Sequence, residues 1–227
     1  MSIIFRVDAS ELIGSGHVIR CLTLAQSLAN ANQDVKFISK NHSRNLNQKI
    51  LSSGFDLFEI NSGNQFYQKK DNLTHSIWLA ESQSADATKT IEAISNQKVD
   101  CLIVDHYAIG ANWHRMLRPF CKKLMVIDDL GDRHYDCDLL LDQNLGSVKN
   151  KYEGILESHC TVMLGPNYAL LKEDFPRLRR QSLSRRDSLK SLNRILISMG
   201  GSDPQDFTNL ILNELENIDF IKNLEFV

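Results

Sequence analysis

The first residues that could do chemistry form a short glycine turn ending in a histidine, Gly14-Ser15-Gly16-His17. The turn follows an apolar run of strand type and opens an amphipathic helix. Its backbone can therefore approach a ligand closely, and the helix start offers unpaired N–H groups. Because the positive end of a helix disfavours imidazolium, His17 is predicted to be a neutral base. The alternative is a histidine that caps the helix or packs locally.

The glycine turn does not match a dinucleotide-binding fingerprint. A third glycine would fall at Ile19, and the second predicted strand ends in Ser39-Lys40 without an acid for a ribose hydroxyl. The sequence therefore disfavours a nicotinamide cofactor.

Polar side chains also follow two later apolar runs. Asp105-His106-Tyr107 comes directly after residues 101–104, and Asp128-Asp129 follows residues 124–127. Active-site residues of open α/β sheets cluster at the carboxyl ends of the strands, which makes these residues candidates for a ligand site. The alternative is that Asp105 caps a helix while His106 and Tyr107 pack locally, and that the later pair caps or forms local hydrogen bonds.

The sequence predicts no metal site. Four potential ligands lie close together in sequence, but acidic residues are common in turns and closeness in sequence does not establish convergent geometry. They are Asp128, Asp129, Asp132 and His134. The five cysteines are far apart and lack CxxC spacing, so they are interpreted as reduced, mostly buried thiols. They are Cys21, Cys101, Cys121, Cys137 and Cys160.

The elements that would position these residues alternate between strands and helices. The predicted strands are 3–7, 35–38, 55–60, 101–104, 124–127, 139–141 and 161–164, and the predicted helices are 17–30, 45–52 and 85–96. The polar segment 61–76 is predicted to be a loop. Two of the strands are apolar throughout, as in a parallel sheet buried on both faces. Residues 1–175 are therefore predicted to form a doubly wound, Rossmann-like α/β domain.

The chain changes character after Asp174. Residues 176–192 are rich in arginine and serine and are predicted to be a solvated basic linker, with nucleic-acid binding as the alternative. Residues 193–227 repeat the order of strand, glycine turn and helix, and are interpreted as the start of an incomplete second domain. Its turn is a candidate phosphate cradle, the alternative being an ordinary strand-to-helix turn. The turn residues are Gly200, Gly201, Ser202 and Asp203.

Composition favours a folded protein that acts on small molecules. Hydrophobic residues make up 42% and charged residues 24%, and the formal net charge is −2. This charge argues against nucleic acid or an anionic membrane as the main partner. Arg6 and Asp8 come too early for a secretory signal, and no apolar run approaches the ~20 residues of a membrane span, so a cytoplasmic location is expected.

Five segments, in order, resemble the UDP-2,4-diacetamido-2,4,6-trideoxy-β-L-altropyranose hydrolases of pseudaminic acid biosynthesis. They are FRVDASELIGSGHVIRCLTLA, LIVDHYAIG, VIDDLGDRHYDCDLLLDQN, LGPNYALLKEDF and ISMGGSDP. The resemblance runs from Met1 to about Asp206. It implies a B-type glycosyltransferase fold, with two Rossmann-like domains facing across a cleft, and kinship with the transferase that makes peptidoglycan lipid intermediates.

The resemblance also implies an activity and a set of site residues. Water would displace UDP from the anomeric carbon with inversion, His17 would be the catalytic base, and Tyr107 would contact the substrate. UDP leaves as a stabilised anion, so neither a metal nor another cofactor is needed. The expected partners are a UDP-sugar and water, and the expected state is a monomer. The expected substrate-binding residues are Gly14, Gly16, Arg20, Asp105, Tyr107, Asn144 and Tyr168, with Gly200, Gly201, Ser202 and Asp203 near the diphosphate.

The family's second domain extends well beyond the length seen here, which suggests that this sequence is a fragment or a truncated product. Two other interpretations stay open. One is a B-type glycosyltransferase that uses a UDP-sugar donor, and the other is a non-catalytic fragment that binds a nucleotide sugar.

Overall fold

The computed structural model describes residues 1–63, 73–95, 97–189, 191–200, 203, 205–216, 218 and 224–227. The chain forms two compact units, residues 1–170 and 171–227. The predicted domain boundary at residue 175 stays a prediction.

The first unit is built on a seven-stranded parallel sheet with the order β3-β2-β1-β4-β5-β6-β7. The winding reverses between β1 and β4, and ligands of open α/β sheets bind at such a reversal. Val7, at the end of β1, lies in register with Asp105, at the end of β4. The strands are β1 (Ser2–Val7), β2 (Asp34–Lys40), β3 (Asp56–Ile60), β4 (Val99–Asp105), β5 (Cys121–Ile127), β6 (Leu139–Asp142) and β7 (Thr161–Leu164).

Helices cover both faces of this sheet, which confirms the predicted doubly wound α/β class. One core cluster contains Ile4, Leu102 and Val104, and the other contains Phe5 and Ile103, so neighbouring residues of one strand face opposite cores. The helices are α1 (Gly16–Asn30), α2 (Asn47–Ser52), α3 (Gln83–Ile94) and α4 (Ala111–Leu117). Short 3-10 turns cover Ser76–Leu79, Arg118–Phe120, Lys149–Tyr152 and Pro166–Tyr168.

Two elements of the first unit differ from the predicted ones. α4 was not predicted, and Ser76–Leu79 forms a 3-10 turn at the end of the predicted loop 61–76. Residues 64–72 of that loop lie outside the described residues.

Among its described residues, the second unit contains two helices and a short pair of parallel strands. They are α5 (Asp174–Ser188), β8 (Arg194–Ile195), α6 (Phe207–Leu215) and β9 (Glu225–Phe226). Most of the predicted solvated linker, residues 176–192, therefore lies in the helix α5. Pro176 is the third residue of α5, where its missing N–H breaks no bond within the helix. No side chain of α5 is buried, so this helix is solvated.

Among the described residues, no helix is long and apolar enough to cross a membrane.

Candidate active site

His17 and Asp105 meet where the sheet reverses its winding. Nδ1 of His17 lies 2.6 Å from Oδ1 of Asp105, although the two residues are 88 positions apart in sequence. Asp105 ends β4 and has no exposed surface, whereas His17 stands at the start of α1 and is 7% exposed. The glycine turn and the strand end thus bring a nearly buried imidazole onto a fully buried carboxylate.

Arg20 binds the same carboxylate from one helical turn further along α1. Its Nε lies 2.6 Å from Oδ2 of Asp105 and its Nη2 lies 2.5 Å from Oδ1, a bidentate pair. Burial alone would raise the pKa of Asp105, but the charges and hydrogen bonds of His17 and Arg20 hold that pKa well below its usual value. Asp105 is therefore ionised at neutral pH.

An ionised Asp105 fixes the tautomer of His17. A carboxylate can only accept hydrogen bonds, so Nδ1 of His17 must carry the proton that lies between the two groups, and in the neutral ring Nε2 is the nitrogen with the lone pair. No residue that the structure describes forms a hydrogen bond with Nε2. Nη2 of Arg20 also approaches Nδ1, at 3.2 Å, and in this tautomer that approach joins two donors. The arrangement can accept a proton at Nε2 and balance the new charge with Asp105.

Aromatic rings surround the imidazole. The Tyr107 ring meets His17 edge-on with centroids 4.6 Å apart, and Trp78 lies 6.0 Å from His17. Trp78 also stacks on Tyr107 at 5.6 Å, and His75 packs against Trp78 at 4.3 Å. This wall offers apolar ring faces beside the base. Sequence reasoning missed Trp78 and His75, because they belong to no motif. His75 lies at the end of the segment interpreted as a loop, and Trp78 lies two residues beyond that segment.

Asp129 joins two of the predicted substrate-binding residues. The Tyr107 hydroxyl donates to one oxygen of Asp129, and Nδ2 of Asn144 donates to the other at 2.7 Å. Burial, followed by the hydrogen bond to Asp129, raises the pKa of Tyr107, so the phenol stays neutral. The ends of β4, β5 and β6 thus contribute to one hydrogen-bonded chain that reaches the ring beside His17.

The glycine turn leaves open space next to the base. Gly14 has a φ of +79° and donates its N–H to the Ser10 carbonyl at 2.8 Å. At both Gly14 and Gly16, no atom of the described residues outside the adjoining backbone lies within 4 Å of the position that a Cβ would occupy. A ligand could therefore approach the backbone there, and only Gly14 needs the conformational freedom of glycine.

A second pair of aspartate and histidine mirrors the first across the same strands. Asp8 follows β1 and His106 follows β4, with Oδ2 and Nε2 3.3 Å apart and neither side chain exposed. Burial lowers the pKa of His106 to about 4, and its Nδ1 accepts the Ala108 N–H at 3.1 Å. His106 thus stays neutral and fixes the turn that carries Tyr107, the local role that the sequence left open.

One predicted site residue of the first unit, Tyr168, stands apart from this cluster. Tyr168 is 47% exposed, and in the described part of the chain no hydrogen bond or ring contact links its side chain to His17, Tyr107 or Asn144. Gly201 and Ser202 lie outside the described residues. In the second unit, Gly200 has a φ of +85°. Asp203 accepts the first N–H groups of α6, from Phe207 at 3.0 Å and Thr208 at 2.9 Å.

The acidic turn after β5 is held by hydrogen bonds within the protein. Asp128 accepts the N–H groups of Leu130 and Gly131 and the hydroxyl of Tyr135, and it also pairs with Arg133. No group of three or more histidine, cysteine, aspartate or glutamate residues suited to a metal ion occurs in the part of the chain that the structure describes.

The fold is α/β and Rossmann-like, and its neighbours among solved structures are B-type glycosyltransferases. The chain is similar to Arabidopsis thaliana UGT89C1, solved in complex with quercetin, with a TM-score of 0.54 and 9% identity over 88% of this chain and 58% of that chain. At this identity the likeness shows the fold alone. No protein-family model matches the chain.

Two curated relatives match nearly the whole chain in sequence. An uncharacterized protein of Methanocaldococcus jannaschii is 28% identical over an alignment of 230 residues, gaps included. The alignment covers 100% of this chain and 42% of that protein. The UDP-2,4-diacetamido-2,4,6-trideoxy-β-L-altropyranose hydrolase of Campylobacter jejuni is 27% identical over 222 residues, which are 97% of this chain and 68% of that enzyme. The chain therefore spans less than half of the first relative and about two thirds of the second.

Proposed function

We propose that this chain carries the catalytic base and the sugar-binding side of a nucleotide-sugar hydrolase. The proposed reaction converts UDP-2,4-diacetamido-2,4,6-trideoxy-β-L-altropyranose and water into UDP and the free sugar, for pseudaminic acid biosynthesis. The observation that carries the proposal is the orientation of His17, whose Nδ1 is held by ionised Asp105 while Nε2 keeps its lone pair. The sequence likeness to the Campylobacter jejuni hydrolase supports the choice of substrate.

In the proposed step, Nε2 of His17 binds a water molecule on the face of the sugar opposite UDP. The water oxygen bonds to the anomeric carbon as the bond from that carbon to the UDP oxygen breaks, so the configuration inverts. The water proton passes to Nε2, and Asp105 stabilises the imidazolium that results. UDP departs with its own negative charge, so backbone N–H groups suffice to stabilise it.

The remaining roles follow from exposure and position. Asp105 has no exposed surface, so we assign it and Arg20 to holding the imidazole rather than to touching the sugar. Tyr107 and Trp78 would offer ring faces to the sugar. Gly14 and Gly16 would let it approach the backbone. The roles of Asn144 and Tyr168 in substrate binding, and of Gly200 to Asp203 in diphosphate binding, are part of the same proposal.

The test measures UDP release in water from the UDP-diacetamido sugar, using the whole protein encoded by the reading frame that carries this chain. We expect His17→Asn to slow UDP release at least a hundredfold, since general-base catalysis contributes roughly 10²–10⁴ in rate. His159→Asn is the matched control, because that histidine is exposed and lies just before β7. Unchanged release by His17→Asn would reject the assigned role.

The same assay separates the two rival functions. A B-type glycosyltransferase, which the fold also accommodates, would release UDP only after an acceptor is added. A binding module would retain the UDP-sugar without consuming it. Release that needs no acceptor supports the hydrolase.

A further inference from the structure

We propose that Cys137 and Cys160 are a thiol-oxidation site that forms a reversible disulfide. Their sulfur atoms lie 3.6 Å apart, and both residues are free thiols. Cys137 stands two residues before β6, and Cys160 stands directly before β7. The site therefore lies at the amino ends of the strands, on the sheet edge opposite His17, and does not rest on the proposed activity.

The backbone around the two cysteines already holds them side by side. β6 and β7 are parallel neighbours in which Leu139 is in register with Thr161, and the Thr161 N–H donates to the Asp138 carbonyl at 2.9 Å. A disulfide has a sulfur separation of about 2.05 Å, so the two sulfur atoms must move together by about 1.5 Å. Side-chain rotation at the two cysteines would supply a shift of that size.

The two thiols differ in exposure and in pKa. Disulfide exchange begins with an accessible thiol that is readily deprotonated. Cys137 is buried, whereas Cys160 is partly exposed. The hydrogen bond from Cys137 lowers the pKa of Cys160, and the nearby Arg118 guanidinium acts in the same direction. Burial raises the pKa of both Cys101 and Cys121 to about 11. Cys160 is therefore the thiol that attacks, and Cys137 is the resolving thiol.

The oxidant is a low-molecular-weight disulfide such as oxidised glutathione. The Cys160 thiolate attacks one glutathione sulfur, which forms a mixed disulfide and expels a glutathione thiolate. Cys137 then loses its proton and attacks the Cys160 sulfur, which expels the second glutathione thiolate. Two protein thiols are oxidised, one glutathione disulfide is reduced to two glutathiones, and the two protons end on the leaving groups.

The disulfide would link the edge strand β7 covalently to its neighbour β6. β7 is the terminal strand, four residues long, and it pairs only with β6 in the sheet order. A disulfide between residues 23 positions apart restricts the unfolded chain, so the oxidised protein should be more stable.

The experiment incubates the folded 227-residue protein with defined ratios of oxidised to reduced glutathione. Tryptic peptides are then mapped by mass spectrometry without reduction, since cleavage after Lys149 and Lys151 separates the two cysteines. We expect a link between Cys137 and Cys160, and a melting temperature raised by roughly 5–10 °C and restored by dithiothreitol.

Matched variants identify the pair. Cys137→Ser and Cys160→Ser should each abolish the link and the thermal shift, whereas Cys101→Ser and Cys121→Ser should keep both. Three results with the unmutated protein would each overturn the proposal: no oxidation of the folded chain, a glutathione adduct on Cys160 that never resolves, or a link between Cys101 and Cys121. These results do not depend on whether any variant folds.

Discussion

A carboxylate with no exposed surface holds the imidazole that we propose as the catalytic base. One carboxylate oxygen of Asp105 accepts from His17, and both oxygens accept from Arg20. Asp105 is thus held in its ionised form and links the end of β4 to α1. Its effect on the reaction passes through the imidazole. The strength of that effect can be tested without changing the base itself.

Replacing Asp105 by asparagine should slow UDP release by up to roughly 10⁴-fold, the loss seen when a catalytic histidine loses the carboxylate that sets its tautomer. The amide can turn its NH₂ toward Nδ1, which would place the imidazole proton on Nε2. The measurement is the turnover number in the UDP-release assay, with circular dichroism to confirm folding.

Asp100→Asn is the matched control, since Asp100 lies on the same strand and is partly exposed beside Lys122, 2.7 Å away. Equal activities of the two variants would show that the buried carboxylate does not set the tautomer.

The sequence predicted individual polar residues better than it predicted their partners. His17, Tyr107 and Asn144 were candidates, and the structure brings them into one cluster. Trp78 could not be inferred, because a lone tryptophan beside a polar segment has no periodicity that assigns it to a face. The bond between Arg20 and Asp105 joins residues 85 positions apart, and spacing within one sequence carries no information on such a contact.

Among the elements, the glycine turn that leads into α1 contains two glycines with different backbone requirements. Gly14→Ala should lower the free energy of unfolding by about 1–2 kcal/mol, because its φ of +79° is unfavourable for a residue with a Cβ. Gly16→Ala should be close to neutral for stability, since its φ lies outside the left-handed region and a methyl group meets nothing within 4 Å. Urea unfolding of both variants measures the difference. A smaller loss for Gly14→Ala than for Gly16→Ala would contradict this account of the turn.

α4 contains a buried histidine that should make stability depend on pH. Burial, then the charges of nearby arginines, lowers the pKa of His114 to about 3, so the folded protein keeps the ring neutral while the unfolded chain protonates it near pH 6.5. The stability due to this group is present above pH 6.5 and is lost as pH falls toward 3. Between pH 6.5 and 4 the loss should be about 3 kcal/mol.

His114→Gln should remove that part of the pH dependence, which denaturant titrations at several pH values would measure. His159→Gln provides the control, because His159 is exposed. Identical pH profiles for His114→Gln and the unmutated protein would contradict the prediction.

The elements that the sequence missed are those with weak or short patterns. α4 is seven residues long, too short for its apolar positions to establish a helical period. α5 is long enough to show a helical period, but its side chains are all exposed and no apolar face indicates a helix. Strands such as β4 and β5 were predicted well, since continuous apolar runs are typical of strands buried on both faces.

At the level of the whole molecule, the hydrophobic core belongs to the first unit. Every buried side chain of the described residues lies between Ile3 and Tyr152, and none lies in residues 171–227. A core of this kind should support folding without the second unit.

Residues 1–170 expressed alone should therefore unfold cooperatively, with a melting temperature within roughly 3 °C of the full chain, since a change of 1 kcal/mol corresponds to about 2–4 °C at this size. Calorimetry of both proteins provides the comparison. A fragment without a cooperative transition would show that residues 171–227 contribute to the core.

The order of the strands lay beyond what the sequence could provide. Alternating strands and helices predicted the class, but they do not say which strand lies beside β1. That neighbour is β4, whose first residue comes more than ninety positions after the last residue of β1.

In the proposed hydrolase, this neighbour relation also decides when activity returns during refolding. The imidazole and its carboxylate partner lie 88 positions apart in the sequence, and contacts between residues so far apart form late in folding. A nascent or kinetically trapped chain that has built only its first three strands would possess a histidine but no oriented base. Recovery of activity should therefore lag behind recovery of helical signal, and its half-time would report the docking of β4 against β1.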